Sequence, residues 1–330
     1  MHNIQLVILL LVLIFNVIIN SQVSAANILI IESYHETYSW DVEYKKGITE
    51  NIKGEHQFDY FQMDTKRLAK NKHMEMVEGA WQKYLEIKPD IVVLGDDNAL
   101  KYLGPRFKKT STPVVYLGIN NSPRNYELYG ATNITGVLER PLLKRSILYL
   151  NKLIEEVQNV LILFDASPTS IAAIDMEFDK ANVMKLGQVT AELDMVSEYS
   201  LWQKKVLSAE YSKKDYIIVG LYHTLRDQEG NHVEADKILK WTSENSPVPV
   251  FGFWDFSIGE NKAIGGLVLE GYQQGYTAAQ IINQLLAGDC VDSIRPKVAE
   301  KGRYLFSRQE IEKHQITIPT NLLDTITWLQ

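Results

Sequence analysis

The side chains of this sequence that could do chemistry sit where short apolar runs stop. Ile28 to Ile31 breaks off into Ser33, Tyr34 and His35, with Tyr38 and Trp40 close behind. Ile91 to Leu94 gives way to Asp96, Asp97 and Asn98, and Val114 to Leu117 to Asn120 and Asn121. Further on, Val160 to Phe164 is followed by Asp165 and Ser167, Tyr216 to Val219 by Tyr222 and His223, and Val250 to Phe253 by Trp254 and Asp255. The pair Asp96 and Asp97 could supply a general acid and a general base, but neighbouring side chains on a strand diverge to opposite sides. Such pairs at strand ends are usually solvated or cap the next helix. His35-Glu36 opens like H-E-x-x-H and has no second His at the required spacing; a G-x-S-x-G elbow, a P-loop and a G-x-G-x-x-G after a strand are likewise missing. The sequence therefore predicts no catalysis, no cofactor and no metal. It offers fixed donors and acceptors beside aromatic faces, which suits gripping a small polar solute, and helix starts behind them that could take an anion.

The elements that must hold these groups follow from the apolar runs, which have the length of strands buried on both faces, as in a parallel sheet. Between them lie helical stretches expected at Asp41 to Lys53, Asn71 to Glu86 and Ala99 to Phe107. The alternation restarts with helix Leu142 to Glu155, helix Thr169 to Met184, the strand Val189 to Met195, an amphipathic piece near Trp202 to Leu207 and helix Val233 to Trp241. Ile264 to Leu269 reads as a strand or crossover, Tyr272 to Leu286 as a long helix closed by Gly288, and Tyr304 to Gln330 as a short mixed tail. The fold class is α/β with two lobes of parallel sheet, and loops at the carboxyl ends of such strands line the ligand crevice. With no floppy linker between them, the lobes are expected to be joined by several chain crossings, as in a hinged clamp.

At 330 residues the chain can bury two cores, and its net charge of -7 without a long basic cluster argues against nucleic acid as a partner. Ile4 to Ile19 is almost wholly aliphatic and runs into Val23-Ser24-Ala25-Ala26. That pattern predicts a secretory signal peptide over residues 1–25, the alternative being an uncleaved anchor, since no Lys or Arg precedes the apolar core. Cys290 is the only cysteine, so no internal disulfide, no Cys/His zinc cluster and no lipid attachment after the apolar core are expected. Export without a lipid fits a periplasm.

The stretches ILIIESYHETYSWD, MDTKR at Met63 to Arg67, PDIVVLGDDNAL at Pro89 to Leu100, PVVYLGINN at Pro113 to Asn121 and GGLVLEGYQQGYTAAQIINQLLAG at Gly265 to Gly288, in that order, resemble the ABC-transporter substrate-binding protein family with the type I periplasmic-binding-protein fold. The resemblance covers nearly the whole chain after residue 25. It implies two Rossmann-like lobes, one of 26–137 with 270–296 and one of 138–269 with 297–330. It also implies hinges near Gly136 to Arg140, Gly266 to Glu270 and Arg295 to Val298, with the helix Tyr272 to Leu286 returning to the first lobe. A ligand would be enclosed between the lobes for delivery to a membrane permease. Relatives with Ser-Tyr-His after the first strand resemble periplasmic sensor portions of histidine kinases and diguanylate cyclases, so a stand-alone sensor docking on such a receptor is the second reading. Unlike those relatives, no signalling domain is expected after the lobe pair. The expected ligand contacts are the sixteen residues at the strand ends named above.

Overall fold

A computed structural model of the protein describes residues 25–154, 156–178, 181–299 and 302–329; the expected leader, up to residue 24, lies outside them. The chain begins β1 (Asn27–Glu32), α1 (Ser39–Thr49), β2 (Gln57–Gln62), α2 (His73–Ile87), β3 (Ile91–Gly95), α3 (Asp96–Phe107), β4 (Val114–Ile119) and β5 (Ile134–Leu138). It continues α4 (Leu143–Leu150), β6 (Asn159–Asp165), α5 (Pro168–Phe178), β7 (Val183–Leu186), β8 (Val189–Val196), α6 (Tyr199–Leu207), β9 (Tyr216–Val219), α7 (Ala235–Asn245) and β10 (Val250–Gly252). It ends β11 (Gly265–Val268), α8 (Gly271–Leu286), β12 (Lys297–Val298), β13 (Arg303–Ser307), α9 (Arg308–Lys313), α10 (Thr320–Leu323) and β14 (Ile326–Leu329).

Two sheets organise the two lobes, as the apolar runs predict. The first has the order β12-β5-β4-β3-β1-β2, with every neighbouring pair parallel. Its central strands are buried on both faces because helices cover both, which is why Ile28 to Ile31 and Ile91 to Leu94 read as unbroken apolar runs. The second has the order β10-β9-β6-β8-β7. Burying each Ile or Val of these strands contributes about 1.5–3 kcal/mol relative to exposure, enough to hold the polar strand ends in fixed places.

The returning helix α8 packs on α1 so closely that two glycines are required. A Cβ on Gly275 would stand 1.9 Å from the Tyr44 carbonyl oxygen, and one on Gly47 would stand 2.2 Å from that of Tyr272. Asn283 also accepts from the Lys53 backbone and donates to the Asn51 carbonyl. The long helix after the second lobe is thereby fixed to the first.

Three local expectations need correction. The helix expected to reach Met184 stops at Phe178, and Val183–Leu186 instead forms an antiparallel edge strand on β8, turned by Gly187 at φ +65°. The mixed tail builds a third sheet, β11-β13-β14, in which β13 runs antiparallel to β11 and parallel to β14. Lys297 and Val298, taken with the second lobe on sequence, pair with Val137 and Leu138 and so extend the first sheet. No helix among the described residues is long and apolar enough to cross a membrane.

Candidate ligand-binding site

The carboxyl ends of both parallel sheets face each other, and the lobes touch there. The Tyr34 hydroxyl lies 3.5 Å from Thr169 Oγ1, and Trp254 Nε1 donates to Glu139 Oε1 at 2.7 Å. The Tyr38 ring meets His223 edge-on at 4.9 Å, and Phe256 packs against Tyr38 and Trp40. Between these contacts lies a small cavity of about 10 Å³, room for about one water molecule in this arrangement of the lobes. Tyr34, Tyr38, Trp40, Asp96, Asn120 and Trp254 all line it, so six of the sixteen expected residues converge on one space.

Each of these arrives by a traceable route. The turn Ser33 to Tyr38 is pinned by Tyr38 N–H to His35 O, and α1 then starts at Ser39 with Trp40 in its first turn, directed inward. Asp96 stands at the first position of α3 with φ +68°, a left-handed conformation that Asp tolerates better than most residues. Asn120 follows β4, where Gly118 at φ +68° breaks the register with β5. Three polar atoms of residues lining the cavity are buried and make no hydrogen bond among the described residues: Trp40 Nε1, Asp96 Oδ2 and Asn120 Oδ1. They comprise an indole N–H donor, an amide oxygen and a carboxyl oxygen, groups that could pair with a solute carrying both donors and acceptors.

The charges around the cavity are unusual for their depth. Lys66 is 6% exposed, has no carboxylate within salt-bridge distance among the described residues, and donates to the Tyr38 hydroxyl at 3.1 Å. Its ammonium also lies 4.2 Å from the Tyr34 ring centre and 4.6 Å from that of Tyr38. Burial pulls its pKa down, opposed by the fields of Asp165 and Asp96. Burial pushes the Asp96 carboxyl well above the carboxylate range, reinforced by Asp41 and Glu139. The Glu139 carboxyl, buried and accepting from Trp254 and Asn120, is pushed up to about 8 by burial. Among the described residues no group of three or more His, Cys, Asp or Glu is placed to hold a metal ion.

The other ten expected residues are arranged differently. Asn98 and Ser167 line a second cavity of about 210 Å³ that shares Tyr34, Lys66 and Thr169 with the inner one and forms its vestibule. His35, Tyr222 and His223 line a separate outer recess behind Tyr38; Tyr222 stacks on His223 at 4.3 Å, and burial holds the His223 imidazole well below its usual pKa. Ser33, Asp97, Asn121, Asp165 and Asp255 are taken up by the fold. The Ser33 hydroxyl donates to Gly95 O and accepts from Ala99 N–H. Asp97 accepts from the backbone of Asn120 and Asn121 and from the Tyr126 hydroxyl. Asn121 Oδ1 caps its own turn at Ser122 and Asn125. Asp165 accepts from Ser167 N–H, the Ser170 hydroxyl and Thr224 N–H. Asp255 accepts from Phe256 N–H, and burial with Glu270 nearby pushes it up to about 7. These five satisfy backbone donors that strand ends and helix starts leave open, which is the commoner duty of polar residues there.

Sequence reasoning did not single out Lys66, Glu139, Thr169 or Phe256. Lys66 had a signal, because it follows β2 in the polar run Asp64 to Arg67. Glu139 lies at a crossing between lobes, and Thr169 and Phe256 one step beyond their strand ends.

Two parallel-sheet lobes closing on a small polar cavity define a clamp-type solute-binding fold. Among solved structures, the chain is similar to an ABC domain from Streptococcus pneumonia in complex with L-Trp, with TM-score 0.69 and 17% identity over 93% of this chain and 100% of that one. It is similar to a conserved domain protein from Vibrio cholerae, with TM-score 0.69 and 15% identity over 93% and 100% of the two chains. It also resembles an ABC transporter solute binding protein from Agrobacterium vitis with bound D-fucose, with TM-score 0.54 and 14% identity over 88% and 98%. A comparison with curated proteins gave no match. Residues 43–327 match the ABC transporter substrate binding protein family, and the chain belongs to that family. Membership implies a small-molecule ligand and a transporter partner.

Proposed function

We propose that this protein captures a small amino-acid-like zwitterion between its lobes, outside the cytoplasmic membrane, and presents it to the permease of an ABC transporter without transforming it. The observation that carries this reading is the unpartnered set Trp40 Nε1, Asp96 Oδ2 and Asn120 Oδ1 at the meeting point of the lobes. An ammonium group suits Asp96, because a cation bound there would favour the ionised carboxylate that burial otherwise disfavours, and a carboxylate suits Trp40 Nε1 together with the buried ammonium of Lys66. The aromatic rings of Tyr34, Tyr38 and Trp254 would exclude water around the solute's body. The neighbours described with L-Trp and D-fucose, both small polar solutes, fit this class of ligand. The lobes would stand further apart around the solute than they do here, where the inner cavity has room for about one water. Closure onto the solute requires that the ligand bind the closed form better than the open one by a few kcal/mol. Cleavage after Ala25 would release the protein into the periplasm.

The test is calorimetric titration of the ligand-stripped protein with the twenty amino acids, repeated on the Asp96→Asn variant. Binding of at least one amino acid is expected, weakened roughly 10–100-fold by loss of a charged hydrogen bond. Binding that is indifferent to Asp96→Asn would refute the assignment, and mass spectrometry of what co-purifies would name the natural ligand.

A further inference from the structure

The vestibule outside the inner cavity is built from cations. Lys66, Lys70 and Lys101 of the first lobe and Arg226 of the second line it, His73 joins them, and among the described residues no carboxylate side chain stands in its wall. This is the opposite of the chain as a whole, whose net charge is -7. None of the four cations forms a salt bridge among the described residues, although Lys45, Arg67, Lys72 and Arg106, on the same lobe, each do. Arg226 reaches toward the first lobe by donating to the Arg67 carbonyl oxygen at 3.4 Å. His73 is 8% exposed and its Nε2 makes no hydrogen bond. The fields of Asp165, Asp96, Asp41 and Glu139 reach Lys66 from behind the wall, and the oxygens of Asp165 are already held by Ser167, Ser170 and Thr224.

Bringing Arg226 up to three lysines as the lobes close sets like charges against each other, so closure is opposed until something negative lies between them. We infer that the ligand bears a second oxyanion, a carboxylate or a phosphate, which docks in this vestibule between Lys70, Lys101 and Arg226, outside the Lys66 ammonium that takes the first, and that the natural solute is therefore a net-anionic zwitterion. The inference rests on the reading of the inner cavity as the seat of an ammonium and a carboxylate, and adds to it which end of the solute points outward and with what charge. Because the cations come from both lobes, the oxyanion acts on closure itself and not only on contact.

The experiment compares matched pairs by titration calorimetry on the ligand-stripped protein: L-glutamate against L-glutamine, and O-phospho-L-serine against L-serine. The acidic member of at least one pair is expected to bind roughly tenfold tighter, the size that several partly exposed ion pairs give together, and to lose most of that advantage in about 0.5 M salt. The glutamate and phosphoserine arms distinguish a carboxylate from a phosphate. In the variant carrying Lys70→Gln and Lys101→Gln, both exposed side chains whose loss does not threaten the fold, the preference should shrink to roughly twofold. Equal or tighter binding of the neutral members overturns the inference alone, as does a preference unchanged in the double variant. Absence of binding by all four, and by every other amino acid, overturns it together with the reading beneath it.

Discussion

Replacing Glu139 with Gln asks whether the carboxyl at the lobe junction keeps its proton through neutral pH. The side chain is 2% exposed, and burial raises its titration from 4.5 to about 8. Since the folded pKa lies above the unfolded one, the folded protein holds an extra proton between these values. Its stability is therefore full below about pH 4.5 and falls as pH rises through about 8. At about 1.36 kcal/mol per pKa unit the whole loss is ~5 kcal/mol, an upper bound because water can enter as the group ionises. The Glu139→Gln variant cannot ionise. It keeps an acceptor for Trp254 Nε1 and spoils at most one bond with Asn120, at about 1 kcal/mol independent of pH. Urea unfolding followed by tryptophan fluorescence should find the variant within about 1 kcal/mol of the parent near pH 6, yet more stable by roughly 3 kcal/mol or more near pH 9. Comparing the two proteins at each pH cancels most of the slope contributed by the other raised carboxyls, Asp255 and Asp96 among them. A stability difference that is the same at both pH values would refute the argument that burial governs this group.

Three other outcomes follow from the same structure. Lys66→Met removes a buried ammonium that forms no salt bridge among the described residues, so the melting temperature should hold or rise while amino-acid affinity falls at least roughly tenfold; calorimetry and thermal melting on one preparation separate the two. Asp97→Ala leaves two backbone N–H groups and the Tyr126 hydroxyl without their acceptor, and should lower unfolding stability by roughly 2–4 kcal/mol in urea, with its effect on affinity secondary. Gly275→Ala drives a methyl into the Tyr44 carbonyl and should cost ~3 kcal/mol or more as α1 and α8 separate, read as a drop of several degrees in Tm.

Much of the architecture was legible in the chain because a strand buried on both faces writes itself as an unbroken apolar run. Ile28 to Ile31, Ile91 to Leu94 and Val160 to Phe164 each fall where the sequence predicts a central strand. Edge strands carry no such mark. Val183–Leu186 alternates exposed and half-buried positions, so it could pass as the end of a helix, and β13 finds its partners only when the chain brings β11 to one side of it and β14 to the other.

For the site, residue type and position after a strand were enough to place polar and aromatic groups at the facing rims, since the ends of parallel strands must all open onto the same edge. That pattern could not divide the sixteen residues by duty. Asp96 and Asp97 are adjacent and chemically identical, yet one lines the cavity with an oxygen left unpartnered and the other is consumed by Asn120, Asn121 and Tyr126. The difference lies in a positive φ at Asp96 and in donors supplied by a loop more than twenty residues away. The amino-acid sequence by itself determined where the lobes would offer polar ends; only the tertiary structure decided which of those ends stay open to a ligand, because a buried polar atom is claimed by whichever donor the fold brings within reach.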